Sequence, residues 1–430
     1  MFISIEEAIK KGKGKVNIHG WVYRERKQKD MVFLVIRDST NIIQAVIKQD
    51  RVSKKAWDDS NKVLIESSLE IEGDIKEDKR APTGYEIQVS KLNVIQFAEV
   101  FPIKKDQSPE LLLDNRHLWL RSRKMTSVLK IRSTIFKAIH DYFRKEVFYE
   151  FQSPIIQSTQ AEGGSTLFNL DYFGKKLFLA QTWQLYAEPA IFALEKVYCI
   201  APSFRAEKSK TSRHLTEYWH AEMEVAWANF NDIQNYGEAL IKHVIQEVLK
   251  NNKEELKILE RDVHKLEPSV KKKFPRITYT DALKILNNKC KMKVNWGEDL
   301  RTIEEDKLSN LYDTPVIVTH YPKAVKAFYM KEDPKNPKVV FGCDFIGPEG
   351  YGELIGGSER EPDPKKIVAR LREQNENPGN YKFYLDTRKY GSIPHGGFGM
   401  GVERLIAWIC GLDNIKDAIP YPRTMLRYSP

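Results

Sequence analysis

Short apolar stretches broken by turn signals fill residues 1–100, and this rhythm constrains the fold more than any other feature of the chain. Segments 16–23, 31–37, 42–48, 68–76 and 85–92 carry β-branched or aromatic residues with partial alternation, the pattern of half-buried strands. Asp38-Ser39-Thr40-Asn41 and Pro82-Thr83-Gly84 supply turn chemistry between them. Five such strands, with a less regular segment at 50–66, predict a small Greek-key barrel of the oligonucleotide-binding type. Lys11, Lys13, Lys15, Arg24, Arg26, Lys27 and Lys29 crowd its start against only Glu25 and Asp30, so the barrel should attract phosphates and stack unpaired bases.

At 430 residues the chain exceeds one ordinary core, and two domains are expected. Residues 101–122 read as a linker of mixed charge with two prolines, and residues 123–430 as the larger domain. Val128, Leu129, Ile131, Ile135, Phe136, Ile139 and Phe143 recur at helical spacing and predict an amphipathic helix over 126–145. A strand containing Ser153-Pro154-Ile155-Ile156 should follow. Residues 230–312 read as a charged, mainly helical insertion to which no chemistry is assigned. Cys199, Cys290, Cys343 and Cys410 stand far apart without a CxxC pair, which argues against zinc and disulfides and for small core residues. No apolar run approaches the ~20 residues that span a bilayer. The start, MFISIEEAIKKGKGK, lacks the apolar centre of a signal peptide, so a cytoplasmic protein without a membrane partner is expected. A net charge of +10 suggests a polyanionic partner.

Two segments far apart in the chain carry the chemistry. One runs from Phe204-Arg205-Ala206-Glu207 through Arg213-His214-Leu215-Thr216-Glu217-Tyr218 to Glu222 and Glu224; the other is Gly397-Phe398-Gly399-Met400-Gly401-Val402-Glu403-Arg404. Arginines suit a site that brings two anionic groups together, because the guanidinium fork binds carboxylate or phosphate oxygens in pairs. Glycines ahead of a helix starting near Val402 permit close approach of backbone to a nucleotide. In this order the segments resemble motifs 2 and 3 of the class II aminoacyl-tRNA synthetases, and the helix-strand-proline stretch resembles motif 1. Glu217-Tyr218-Trp219-His220, Tyr384-Leu385-Asp386-Thr387-Arg388-Lys389-Tyr390-Gly391 and Trp408-Ile409-Cys410-Gly411-Leu412-Asp413-Asn414-Ile415 resemble the asparaginyl branch.

The resemblance implies an α+β architecture: an N-terminal five-stranded barrel that binds an anticodon, then a class II antiparallel sheet flanked by helices, assembled as a homodimer. It implies ATP and Mg²⁺ as cofactors, with asparagine and tRNA(Asn) as partners. Arg205, Glu207 and Arg404 would be catalytic. Arg205, Glu207, Arg213, His214, Tyr218, Glu353, Gly399, Gly401 and Arg404 would hold ATP, with Glu353 and Asp344 on the metal. Glu162, Ser165, Gln184, Glu188, Glu222 and Arg360 would bind the amino acid, Glu162 and Ser165 from a loop that closes over it. Arg26, Phe33 and Gln44 would hold anticodon bases; from composition alone Phe33 reads rather as a core residue, and the resemblance reverses that reading.

Two departures bear on the choice of amino acid. Ala187 stands where aspartyl enzymes carry a lysine, and Gly356 where they carry a serine metal ligand. Both point to asparagine, with attachment to tRNA(Asn) through an asparaginyl-adenylate. An aspartyl-tRNA synthetase that is relaxed for tRNA(Asn) is the alternative within the class. A synthetase making free asparagine fits less well because the barrel is intact. An RNA-binding protein on an inactive fold would not need Arg205, Glu207, Glu353 and Arg404.

Overall fold

The computed structural model describes residues 1–104, 106–161, 166–208 and 211–430, which form two compact units, Met1–Trp119 and Leu120–Pro430. In the first unit, β1 (Gly14–Lys27), β2 (Met31–Arg37), β3 (Ile42–Lys48), β4 (Ser68–Glu77) and β5 (Tyr85–Gln96) close into a barrel in the order β1-β2-β3-β5-β4. The β3–β5 pair is parallel and the other pairs are antiparallel. Alternation decides which side chains enter it: Val16, Ile18, Val22, Leu34, Ile36, Ile43, Ile71 and Ile87 are buried inside. Asp38 shapes the β2–β3 hairpin by accepting hydrogen bonds from the backbone N–H groups of Thr40 and Asn41 at 2.7 and 2.9 Å.

The segment at 50–66 folds as a helix, Lys54–Lys62, capped by the Ser53 hydroxyl. A helix unforeseen in the sequence, Ile5–Lys11, precedes β1. Ser4 and Glu7 form its capping box and Gly12 ends it at φ 69°. The region read as a linker holds two short helices, Pro109–Asp114 and Arg116–Trp119, the first capped by Ser108. Proline at the first turn costs that helix no hydrogen bond, because those N–H groups have no intrahelical partner.

The second unit is built on strands β6 (Tyr149–Glu150), β7 (Ile156–Gln157), β8 (Asn169–Tyr172), β9 (Lys175–Leu179), β10 (Lys196–Phe204), β11 (Glu217–Ala226), β12 (Arg276–Thr278), β13 (Val316–Thr319), β14 (Glu332–Asp333), β15 (Asn336–Val340), β16 (Gly342–Gly347), β17 (Gly352–Glu359) and β18 (His395–Gly401). Eight of them make one sheet in the order β12-β13-β16-β17-β18-β11-β10-β6. It is antiparallel except at its two edges, where β12 and β6 run parallel to their neighbours. β7, β9 and β8 form a small separate sheet, and β14 and β15 a hairpin.

The predicted amphipathic helix spans Arg123–Lys145, starting at a Ser122 cap. Its face of Val128, Ile131, Ile135, Ile139 and Phe143 packs into the main core with helix Phe230–Asn251, helix Val402–Cys410 and the sheet. Each fully buried side chain of this size contributes about 1.5–3 kcal/mol relative to exposure. Between 230 and 312 the chain is mainly helical, but Arg276–Thr278 joins the sheet as its edge strand. Cys199, Cys343 and Cys410 are buried and Cys290 half-buried, all unpaired. No helix among the described residues is long and apolar enough to cross a membrane.

Candidate active site

The site lies on the face of the sheet made by β17, β18 and β11. Period-two alternation sends His220, Glu222 and Glu224 of β11 to the same side. Their register partners on β18 are Gly401, Gly399 and Gly397. Those glycines do more than admit a ligand. A Cβ at Gly397 would stand 2.2 Å from Glu224 Oε2, and one at Gly399 would stand 2.6 Å from His220 Nε2. The bare backbone of β18 is therefore the space in which the polar side chains of β11 lie.

Two cavities open over this floor. The larger, about 630 Å³, is lined by Thr182, Gln184, Glu222, Lys326, Asp344 and Arg360 among others. The smaller, about 330 Å³, is lined by Glu207, Arg213, His214, Tyr218, Gly401 and Arg404 among others. Arg205, His220, Glu353 and Gly399 line both, so the two compartments meet at a guanidinium, an imidazole and a carboxylate. Most residues expected at the site thus converge from segments far apart in the chain.

In the smaller compartment the Arg205 guanidinium lies 5.8 Å from the Tyr218 ring centre and 3.9 Å from Glu207. Arg404 donates to the Glu353 carbonyl oxygen, which fixes its side chain across the end of β17. Arg213 pairs with Asp306. His214 sits 3.5 Å from Glu207. Burial lowers its pKa; Glu207 acts against this, while Arg404, Arg205 and Arg213 reinforce it. The compartment is therefore rich in fixed positive charge around an aromatic face, a combination suited to a nucleotide triphosphate.

In the larger compartment Glu222 is enclosed by donors. Thr182 donates to one oxygen, and the Trp183 N–H lies 3.0 Å and His220 Nδ1 3.0 Å from the other. Burial alone would raise its pKa, but His220 and these hydrogen bonds outweigh it, so Glu222 stays below the usual carboxylate range. Arg360 is 3% exposed and grips Glu224 with both arms, Nε and Nη2 each at 2.9 Å. The end of the cavity thus presents a guanidinium already matched by a carboxylate.

Behind Arg360 is a second buried layer, and here the expectation for Glu188 is corrected. Glu188 is fully enclosed and does not line the cavity. Its oxygens accept hydrogen bonds from Tyr384 at 3.0 and 2.8 Å, from Gln184 at 2.9 Å and from Arg388, with His395 Nε2 at 3.0 Å. Burial would drive its carboxyl up, but Arg388, His395 and Arg360 hold it well below the usual range. Glu188, Glu224 and His395 have the mutual spacing of a metal site, the one such group among the described residues. The guanidiniums of Arg388 and Arg360 occupy those carboxylates in place of a metal ion. Ala187 is enclosed with Trp183, Ile191, Val197 and Cys199 in a small core and presents no charge to the cavity.

A different acidic group fits a hard cation. A Cβ at Gly356 would meet Glu353 Oε1 at 2.7 Å and Asp344 Oδ1 at 3.7 Å, so the missing side chain leaves a cradle between two carboxylates. Burial and then Asp344 push Glu353 up to about 7. Burial and then Glu353 do the same to Glu305, also to about 7. Lys326, 2.8 Å from Asp344, offsets part of the repulsion. Clustered oxygen donors that resist ionising together suit Mg²⁺. Glu305 comes from the insertion, as do Asp299, Leu300, Arg301 and Thr302, which also line the cavities. The segment to which no chemistry was assigned thus reaches the site, and helix Thr302–Ser309 places Glu305 against the smaller compartment. Glu162 and Ser165 lie outside the described residues.

On the barrel, Arg26 pairs with Phe33 across β1 and β2, and Gln44 stands diagonally from Phe33 across β2 and β3. Phe33 is half-buried, on the face opposite to Val32 and Leu34, and it is not part of the barrel core. Arg26 is exposed, and Gln44 donates to Glu86 at 2.9 Å.

Comparison with known proteins agrees with this geometry. Residues 108–425 match the family model for tRNA synthetases class II (D, K and N), and residues 16–95 that for an OB-fold nucleic acid binding domain. The chain is 50% identical over 416 residues to the asparagine–tRNA ligase of Thermoplasma acidophilum, covering 97% of this chain and 96% of that protein. It is 47% identical over 416 residues to the enzyme of the same name from Thermococcus kodakarensis, with the same coverage. The crystal structure of asparaginyl-tRNA synthetase from Pyrococcus horikoshii complexed with asparaginyl-adenylate superposes with a TM-score of 0.97 at 45% identity, each chain covered completely. An aspartyl-tRNA synthetase from Entamoeba histolytica gives 0.87 at 25% identity, covering 100% of this chain and 93% of that one.

Proposed function

The chain belongs to the asparaginyl branch of the class II tRNA synthetases, and we propose how its residues attach asparagine to tRNA(Asn) through an asparaginyl-adenylate. The carrying observation is the pair of compartments that meet at Arg205, His220, Glu353 and Gly399. ATP occupies the smaller one. Its adenine lies against Tyr218 with Glu207 accepting from the amino group, and Arg404, Arg213 and His214 take the outer phosphates. Asparagine occupies the larger one, its ammonium facing Glu222 and Gln184 and its amide facing Arg360. Its carboxylate then points at the shared boundary, where Arg205 bridges it to the α-phosphate.

This arrangement catalyses by position and charge. The carboxylate oxygen attacks the α-phosphorus and the bond to the bridging oxygen breaks, releasing pyrophosphate and leaving the acyl-adenylate. A hydroxyl of the tRNA's terminal adenosine then attacks the acyl carbon, and AMP departs. Mg²⁺ would be held by Glu353 and Asp344 and, when bound, supplies positive charge to the phosphates. An amide offers one acceptor and two donors, and the Arg360–Glu224 pair offers the complementary set. An aspartate side chain in the same place would set a second carboxylate beside Glu224 in a closed cavity, which disfavours it.

The barrel face of Arg26, Phe33 and Gln44 binds the anticodon. Homodimerisation through the helix Arg123–Lys145 and the segment after it is supported by the exposure of Val147, Tyr149, Ile155 and Ile156 there. The basic, mixed-charge composition supports a cytoplasmic protein. Arg205→Ala tests the core of the proposal: pyrophosphate exchange should disappear while tRNA binding persists. Exchange at the wild-type rate in that variant would mean the site has been misplaced.

A further inference from the structure

The buried layer behind Arg360 contains more charge than holding one arginine requires. Arg360 has two carboxylates within reach: Glu224 at 2.9 Å, which it grips with both arms, and Glu188 Oε1 at 3.9 Å from its Nε. What keeps Glu188 from competing is visible in its other contacts. Arg388, with no exposed side-chain surface, donates to Glu188 and, at 2.8 Å, to the hydroxyl of Tyr384, which itself donates to Glu188. The charges of these two carboxylates and two guanidiniums therefore cancel among almost fully buried side chains, with the His395 imidazole beside them, 3.0 Å from Glu188.

We propose that the Glu188–Arg388 pair sets the choice between an amide and a carboxylate side chain, with Arg388 as a positioning residue that frees Arg360 for Glu224. The proposal rests on the reading that Arg360 meets the substrate's side chain. In a dry site an unbalanced charge is felt strongly across a few ångströms. With the pair intact, the end of the cavity carries no net charge and accepts a neutral amide. Deleting Glu188's charge alone leaves an excess positive charge next to Arg360 and favours a carboxylate. Deleting Arg388's charge leaves an excess negative charge and gives Glu188 a claim on Arg360, which repels a carboxylate and loosens the amide. Deleting both restores neutrality.

The test measures kcat/KM for asparagine and for aspartate by ATP–pyrophosphate exchange in the full-length protein, Glu188→Gln, Arg388→Met and the double variant. Glu188→Gln should raise the aspartate-to-asparagine ratio by about tenfold or more. Arg388→Met should lower that ratio and raise the KM for asparagine by about tenfold, with the KM for ATP unchanged. The double variant should return the ratio to within about threefold of wild type. Opposite signs that cancel separate this role from packing, because lost packing weakens both amino acids in every variant. Proportional loss of both substrates in all variants overturns the proposal, as does a double variant whose ratio stays about tenfold or more away from that of wild type. Should Arg388→Met fail to fold by circular dichroism, Glu188→Gln still decides: no rise in the ratio overturns the proposal. An Arg360→Lys variant with unchanged KM for asparagine would instead remove the underlying reading of Arg360.

Discussion

Replacing Gly397 with alanine tests the architecture of the site, because the structure says what the methyl group would hit. Its Cβ would lie 2.1 Å from the Met223 carbonyl oxygen and 2.2 Å from Glu224 Oε2. The first contact is backbone on the neighbouring strand, so β18 and β11 must separate locally, at an overpacking cost of about 1–3 kcal/mol. The second pushes Glu224 off Arg360, and disrupting a buried ion pair costs about 3–5 kcal/mol. The two are relieved by one movement and do not add, so a loss of about 3–5 kcal/mol is expected. At about 2–4 °C per kcal/mol for a domain of 150–250 residues, the melting temperature should fall by roughly 6–20 °C. Gly401→Ala is the control: the nearest atom to its Cβ is Arg404 Cβ at 3.8 Å, an ordinary contact. Its stability should stay within about 0.5 kcal/mol of wild type. Scanning calorimetry and asparagine-dependent exchange on both variants read the difference. Equal melting temperatures would refute the argument that β18 is bare in order to seat the side chains of β11.

Two further outcomes follow from charge and surface placement. Glu353 has a pKa raised from 4.5 to about 7 by burial and by Asp344, so the folded state binds its proton more tightly than the unfolded one. In metal-free protein this makes stability fall as pH rises from about 4.5 through about 7, and Mg²⁺ should stabilise more at pH 8 than at pH 6; a pH-independent Mg²⁺ shift in melting temperature would contradict this. On the barrel, Phe33→Ala should weaken binding of tRNA(Asn) by about 1–3 kcal/mol, the worth of one stacked base, and leave tRNA-independent exchange unchanged. Unaltered tRNA affinity would remove Phe33 from the anticodon face.

The barrel was legible because its information is local: β-branched alternation and turn chemistry such as that of Asp38 mark three hairpins, β1–β2, β2–β3 and β4–β5, within a short stretch. The helix Ile5–Lys11 was equally local, announced by the Ser4–Glu7 capping box, and only a scan for caps would have found it. The class II sheet was legible through its motifs rather than through periodicity, since strands such as β6 and β12 are two and three residues long. What remained illegible is pairing across distance. Glu188 was placed among the substrate's ligands by the resemblance alone. Its partners Tyr384, Arg388 and His395 stand about 200 positions away, and no local pattern records that they enclose it. Glu305 was passed over for a related reason: a carboxylate in a charged helix looks solvated until a fold sets it against Glu353.

The most direct test of the account is ATP–pyrophosphate exchange by the purified protein with asparagine and aspartate in parallel. The geometry predicts exchange with asparagine and at most a trace with aspartate, because the Arg360–Glu224 pair is already neutral. Exchange driven by aspartate as fast as by asparagine would contradict it and leave Ala187, Glu222 and the balanced charge behind Arg360 without a role in selection.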